Sequence, residues 1–204
     1  NLSIEKLPVT DFPPYVHFFK KVFKAEVLAK LGDLEKAATL AEANYKGLKK
    51  IYPQEVNYKI LKTELALALI YLKQEKFQKS LRFLNLVMDG LKTFFKKSYE
   101  SPLQAEPHLF LGELYEKQND LLRALNEYKK AEDIYRHVYN TIEVDDMSIL
   151  YRNMAILGEK LHDDFITHQY FQLLLKHFGR DHVRTQEVVD YLEAKDLQVP
   201  WSRL

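Results

Sequence analysis

Residues 109–131 read LFLGELYEKQNDLLRALNEYKKA, and the spacing of small and large residues in this stretch decides the fold. Gly112 is followed by Tyr115 three positions later, by a polar Asn-Asp pair after seven, and by Ala124 after twelve. On both sides of the polar pair, apolar residues recur every three or four positions, which is typical of amphipathic helices. The stretch therefore predicts two helices joined by a short turn.

The same pattern occurs four times in the chain of 204 residues. The copies begin at small residues that lie 43, 44 and 43 positions apart, and each carries a second small residue twelve positions later. Small side chains let two helices approach closely, so both sets are expected where the first helix of a pair (helix A) meets the second (helix B). The first set is Ala25, Ala68, Gly112 and Ala155, and the second is Ala37, Ser80, Ala124 and Thr167.

Acidic residues stand at the polar turn of three copies. Asp33, Asp120 and Asp163 each precede a predicted helix B. A short carboxylate at this place accepts hydrogen bonds from free backbone amides and interacts favourably with the helix dipole. We therefore expect these three residues to cap the B helices.

The copy HLFLGELYEKQNDLLRALNEYKKA resembles the tetratricopeptide repeat (TPR) almost throughout. LALALIYLKQEKFQKSLRFL and AEVLAKLGDLEKAATLA are less similar to that repeat, and NMAILGEKLHDDFITHQYF is the weakest copy. The period of 43–44 residues exceeds the 34 residues of the common repeat and is similar to that of the kinesin-light-chain and clustered-mitochondria subclass. The segments LKHFGRDHVRTQEVVDYL and RNMA are also similar to segments of this subclass. The resemblance rests on Leu111, Gly112, Tyr115, Asn119, Asp120, Leu121, Ala124, Tyr128 and Ala131.

This resemblance implies an all-α fold, an antiparallel helix-pair superhelical array of the α-solenoid type. Helix ILKTELALALIYLKQ is apolar almost all round, so we expect cover on every side, with NLSIEKLPVTDFPPY and LQVPWSRL as candidate covering segments. The predicted organisation is an extended segment over residues 1–15, four helix pairs over 16–178 (about 16–52, 58–98, 103–140 and 147–178), and a terminal helix and tail over 179–204.

The resemblance also implies a non-catalytic scaffold or adaptor for protein–protein interaction, which binds a peptide or a partner helix in a concave groove lined by the A helices. The helical period, projected from the small residues, gives sixteen groove candidates, although the apolar ones could equally be core. These candidates are Phe19, Phe23, Glu26, Lys30, Lys62, Leu65, Leu69, Lys73, Leu109, Phe110, Glu113, Lys117, Arg152, Asn153, Ile156 and Lys160. Val22, Glu26, Ala66 and Phe110 stand where chaperone-tail receptors carry their carboxylate clamp, so that specialisation is not expected.

Enzyme chemistry has little support in the sequence. The chain has no cysteine, and its seven histidines form no HExxH motif, so no metal site is predicted. Neither GxGxxG nor GxxxxGK occurs, and we expect no cofactor. The cluster at His162, Asp163 and Asp164 falls at a predicted turn, where capping explains it. The prediction is that the protein is not an enzyme.

The charge distribution along the chain is compatible with partners other than a peptide. The net charge is +1, but residues 1–100 hold 18 basic and 11 acidic residues, whereas residues 101–204 hold 12 basic and 18 acidic. Together with the motif FFKK, which occurs at 18–21 and 94–97, this asymmetry allows RNA binding through the basic half, or self-association between unlike halves. A peptide-sensing regulatory module is a further alternative. We expect no membrane span, a cytoplasmic location, and a chain that is a piece of a longer protein.

Overall fold

The computed structural model describes residues 14–53, 56–95, 101–139, 141 and 143–199, with side chains from Phe18 onwards. The described part of the chain is helical and contains no strand. Its helices are α1 (Pro14–Lys30), α2 (Leu34–Ile51), α3 (Tyr58–Lys73), α4 (Phe77–Phe94), α5 (Glu106–Lys117), α6 (Leu121–Val138), α7 (Asp145–Lys160), α8 (Asp164–Phe178) and α9 (Val183–Glu193). The predicted all-α array of antiparallel helix pairs is confirmed, whereas the predicted division at residues 1–15, 16–178 and 179–204 stays a prediction.

The chain divides into two compact units after residue 94. In the first unit, α1 pairs with α2 and α3 pairs with α4, and α3 packs on both helices of the first pair. The core between them contains Ala25, Ala37 and Leu67, all fully buried. The neighbours α1, α2 and α4 therefore supply the cover that the apolar α3 requires. The two segments proposed from sequence as cover lie largely outside the described residues.

In the second unit, α5 pairs with α6 and α7 pairs with α8, while α9 packs against α7 and α8. Large aromatic side chains fill this core, since Tyr128, Tyr135, Tyr151 and Phe171 are fully buried. The burial of these large side chains contributes favourable apolar transfer free energy to the packing of the helix pairs.

Small residues mark the contact of helix A with helix B, as the sequence predicts. The buried Ser80 hydroxyl donates a 2.9 Å hydrogen bond to the carbonyl oxygen of Ala68 across the second pair. In the third pair, a Cβ atom on Gly112 would overlap the ring of Tyr128. The fourth pair is tightest at Gly158, where a Cβ atom would come within 2.5 Å of the Thr167 amide nitrogen.

One turn geometry ends every A helix. The residue at the bend has a positive φ angle, and the next amide donates to the carbonyl five positions earlier, which is a Schellman-type ending. Asp33, Asp120 and Asp163 then cap the following B helices through their side chains, which confirms the predicted caps. The bend residues of the four pairs are Gly32 (86°), Glu75 (58°), Asn119 (60°) and His162 (55°).

The last helix ends in the same way. Asp196 has a φ angle of 57°, and the Leu197 amide donates a 3.0 Å hydrogen bond to the carbonyl of Leu192. Because α9 also packs on the preceding A and B helices, it occupies the place of a fifth helix A. No helix B follows it within the described residues, which end at 199.

Candidate functional site

The A helices of the first unit carry a patch of exposed aromatic side chains. Phe19 and Phe23 lie one turn apart on α1 and expose 38% and 62% of their surface. The ring of Phe19 lies 6.1 Å from that of Tyr58 on α3, and Tyr58 is itself 40% exposed. We call these three residues the aromatic patch. Tyr58 was not among the sequence candidates, because the projection started from Ala68 and stopped at Lys62.

The two helices that carry this patch are rich in lysine. Helix α1 contributes four lysines and α3 contributes three. Among the groove candidates, Lys30 and Lys73 are exposed and Lys62 is half-buried. Glu26 lies near Lys62 and Lys30; burial raises the pKa of this carboxyl, and the two lysines partly oppose that effect. The surface of α1 and α3 therefore combines exposed aromatic side chains with an excess of lysine over glutamate, and we call it the unit-1 face.

The two apolar candidates on α3 are less exposed than the aromatic patch. Leu65 is only 3% exposed, so it belongs to the packed interior, whereas Leu69 is half-buried. In the first FFKK motif, Phe18 is half-buried and its carbonyl oxygen accepts a 3.4 Å hydrogen bond from Asn44 on α2. The second FFKK motif extends beyond the described residues after position 95.

The candidates on the second unit's A helices form a polar network with one another. Asn153 donates a 3.3 Å hydrogen bond to Glu113 on α5 and accepts one of 3.0 Å from Arg152. Arg152 is in turn 3.0 Å from Glu187 on α9, and Arg184 donates a 2.7 Å hydrogen bond to the same carboxylate. These contacts join three consecutive A helices, α5, α7 and α9. The sequence candidates did not include Glu187 or Arg184, because the projection started only from the small residues of the four copies and was not extended to the predicted terminal helix.

A second row of ion pairs joins the same helices near their C-terminal ends. The ammonium of Lys160 is 2.6 Å from a Glu116 oxygen, and that of Lys195 is 2.8 Å from a Glu159 oxygen. The Lys195 contact helps to lower the pKa of Glu159, against the burial that raises it.

The remaining candidates of the second unit divide by burial. Leu109 and Ile156 are each 4% exposed and belong to the core. Phe110 is half-buried against that core, and Lys117 is exposed. The A-helix face of the second unit, which we call the unit-2 face, is therefore mainly polar and internally paired.

Several carboxylates that could suggest catalysis instead accept hydrogen bonds from tyrosine hydroxyls elsewhere in the same unit. Burial and the carboxylate of Glu64 together raise the pKa of Tyr45 to about 12, so this phenol stays protonated as a donor. The same arrangement recurs in both units and satisfies buried polar groups. The pairs are Tyr45–Glu64, Tyr71–Glu42, Tyr128–Glu116, Tyr139–Asp146, Tyr170–Glu132 and Tyr191–Glu159.

Other kinds of site have no support in the described residues. Histidine and acidic side chains there form no cluster of three or more that could hold a metal ion. None of the described helices is both long and apolar enough to cross a lipid bilayer. An open depression of about 440 Å³ lies between Arg136 and the α8 residues from Phe165 to Lys176, and it includes no groove candidate.

Comparison with known proteins places the fold. No family model and no curated protein matches the chain. Two crystal structures of TPR-like repeats from a Podosopora anserina protein described as a kinesin light chain match it at 13% identity, with TM-scores of 0.68 and 0.67. These matches cover 91% and 88% of this chain and 90% and 87% of the other chains. BtubC (BKLC) from P. vanneervenii matches at 19% identity and a TM-score of 0.61, over 98% of this chain and 72% of that one. The fold is therefore TPR-like, with structural neighbours of the kinesin-light-chain kind.

Proposed function

We propose that this chain is a non-catalytic protein-interaction scaffold or adaptor, and that its unit-1 face binds a peptide or a partner helix. Stacked helix pairs commonly offer an extended surface for this use. The observation that carries the proposal is the aromatic patch, in which Phe23 alone exposes 62% of its surface. Exposed aromatic groups that lie together and are surrounded by polar residues are typical of interaction sites.

Charge specifies the ligand further. The seven lysines of α1 and α3 are accompanied by two glutamates, Glu26 and Glu64. Glu64 is 4% exposed and contributes little surface charge. A peptide with acidic residues beside an apolar anchor should therefore bind faster and more tightly at low salt than at high salt.

The unit-2 face is less suited to the same task. Its charged side chains already pair with one another across α5, α7 and α9. A ligand would have to break these pairs and leave partly buried charges without partners, which costs free energy. We therefore assign peptide binding to the first unit alone.

The test is a ligand selection followed by a binding measurement. Peptides selected from a random library on the full chain are measured by fluorescence anisotropy against wild type, Phe23→Ser and Tyr58→Ser. Burying a phenylalanine side chain is worth about 1.5–3 kcal/mol, so Phe23→Ser should weaken binding roughly tenfold to a hundredfold. Ile51→Ser is the matched control, because Ile51 is 56% exposed in the same unit but stands at the end of a helix B.

Equal affinity for wild type and both aromatic variants would refute the assignment of the site. Equal weakening by Ile51→Ser would show a general effect of apolar loss. Circular dichroism checks that each variant keeps its helix content.

RNA binding through the basic half is the second candidate, favoured by the four lysines of α1. A single-stranded oligonucleotide at low ionic strength tests it, because phosphate contacts give a steep loss of affinity with salt. No detectable binding at low salt would exclude this candidate. The peptide-sensing alternative and the cytoplasmic location stay predictions.

A further inference from the structure

Consecutive A helices of the second unit meet through a repeated acid–lysine contact. Glu116 and Glu159 each stand three residues before the positive-φ residue that ends their helix. Glu116 pairs at 2.6 Å with Lys160 of the next helix A, and Glu159 pairs at 2.8 Å with Lys195, which lies in the turn just after α9. Within the second unit the contact thus accompanies each step from one helix A to the next, whereas in the first unit the equivalent position on α1 is Ala29.

Helix α9 presents the same acidic position at the end of the described chain. Glu193 stands three residues before Asp196, the positive-φ residue of α9, and it is exposed. Asp190 is exposed on the same side of the helix, one turn earlier. No further helix A is present among the described residues to receive this face, which we call the trailing face.

Helix α1 carries a matching basic position. Lys30 precedes the positive-φ residue Gly32 by two positions, as Lys160 precedes its own, and it is exposed. Lys21 and Lys24 are exposed and stand where α3 carries Glu64, which is hydrogen-bonded to Tyr45 of α2, and Leu67, which is buried in the core that α2 shares. We call these three lysines the leading face.

The apolar component of this surface is also exposed. Leu31 is 77% exposed, at the position where Gln74 of α3 donates a 3.1 Å hydrogen bond to the carbonyl of Leu34 in the preceding pair. In an internal repeat this position is therefore part of the contact between pairs. On α1 it has no preceding pair within the described residues.

We propose that copies of this chain associate head to tail, with the leading face of one copy packed on the trailing face of another. Lys30 then meets Glu193 in the same way that Lys160 meets Glu116. Because the two faces differ, the contact is heterologous and does not close at a dimer. The proposal goes beyond peptide binding and does not depend on it.

The association should be weak and sensitive to salt. Exposed ion pairs contribute only about 0.2–1 kcal/mol each and are screened by added salt. Sedimentation velocity and light scattering on the full chain, from micromolar to near-millimolar concentration, should show a mean mass that passes the dimer. The association constant should fall about tenfold between 50 and 500 mM sodium chloride.

Charge reversal locates the interface. The double variant Asp190→Lys, Glu193→Lys should weaken association at least tenfold, because it sets lysines against the leading face. Asp133→Lys, Glu143→Lys is the matched control: these two acids of the second unit are also exposed, and the change in net charge is identical. This control should still associate through the unchanged faces.

Three results would overturn the proposal. They are a monomer mass over the whole range at 50 mM salt, a mass that stops at the dimer, and equal weakening by the control variant. The first would mean that the two faces do not meet, the second that the interface is isologous, and the third that net charge alone governs association. Peptide binding by the double variant should match wild type, so a failure of this proposal is separable from a failure of the binding site.

Discussion

The close approach of helices within a pair can be tested with the four glycines that lie inside helices. Replacing a helical glycine by alanine favours the helix by about 1 kcal/mol when the new methyl group has room. A Cβ atom at Gly47 would have only one neighbour, the Phe18 ring at 3.8 Å, which is an ordinary contact. Gly47→Ala should therefore stabilise the protein by about 0.5–1 kcal/mol.

Gly112→Ala should have the opposite sign. The added methyl group would overlap the ring of Tyr128, which is fully buried and is held by a 2.8 Å hydrogen bond from its hydroxyl to Glu116. Overpacking of this kind costs about 1–3 kcal/mol, so the net loss is about 1 kcal/mol or more after the helix gain. Gly158→Ala should lose at least as much, because the obstacle includes the backbone nitrogen of Thr167 at 2.5 Å. At Gly90 the nearest atom is the flexible end of Leu61, so a small effect is expected.

The assay is urea unfolding followed by circular dichroism, with calorimetry to resolve the two units. At about 4–8 °C per kcal/mol for a unit of this size, the expected shifts in Tm are easily measured. A double-mutant cycle with Tyr128→Leu adds specificity, because removing the ring should make Gly112→Ala less costly by about 1 kcal/mol. A Gly112→Ala protein as stable as wild type would refute the argument that this glycine sets the spacing of α5 and α6.

Three further predictions concern a turn and two buried acids. Glu75→Gly should raise the free energy of unfolding by up to about 1 kcal/mol, because a φ angle of 58° strains a residue with a side chain; an unchanged urea midpoint would contradict this. Burial raises the pKa of Glu127, but the hydrogen bonds from His108 and Lys130 outweigh this effect and the net pKa is lowered. The ionised Glu127 therefore contributes stability above the pKa of the unfolded state, and this contribution is lost as pH falls through the pKa of the folded state. His108→Gln should therefore flatten the acid limb of a plot of stability against pH, and an identical limb would refute the role of the pair. Burial raises the pKa of Glu64, so its ionisation costs stability as pH rises through the folded pKa, and Glu64→Gln should gain over wild type at pH 7 but not below about pH 4.

The sequence predicted the repeat and its turns because both depend on local chemistry. Asp33, Asp120 and Asp163 act as caps through their own side chains, and small residues at a fixed spacing allow close packing wherever they occur. The bend residues were only partly recognisable. Glycine and asparagine favour positive φ, whereas Glu75 adopts a φ angle of 58° that its side chain disfavours.

The candidate site was harder to predict, because exposure depends on neighbouring helices rather than on the helical period. Phe23 and Ala66 both stand nine residues before the bend residue of their A helix, yet Ala66 is 2% exposed and Phe23 is 62% exposed. Helix α3 has a preceding pair to pack against, whereas no helix precedes α1 in the described chain. Helical periodicity gives both residues the same orientation and contains no information about that difference in exposure.

Phe23 connects the two proposals made for this chain. It stands nine residues before the bend residue of α1, the position that Asn153 uses on α7 to contact the preceding helix A. A second copy that packed on α1 would therefore cover part of the surface that a peptide would use. Peptide binding and head-to-tail association should then compete, and a saturating peptide should lower the mean mass in solution. Tyr58→Ser should weaken peptide binding alone and Glu193→Lys should weaken association alone, whereas Phe23→Ser should weaken both; a peptide that left the mass distribution unchanged would show that the two surfaces are separate.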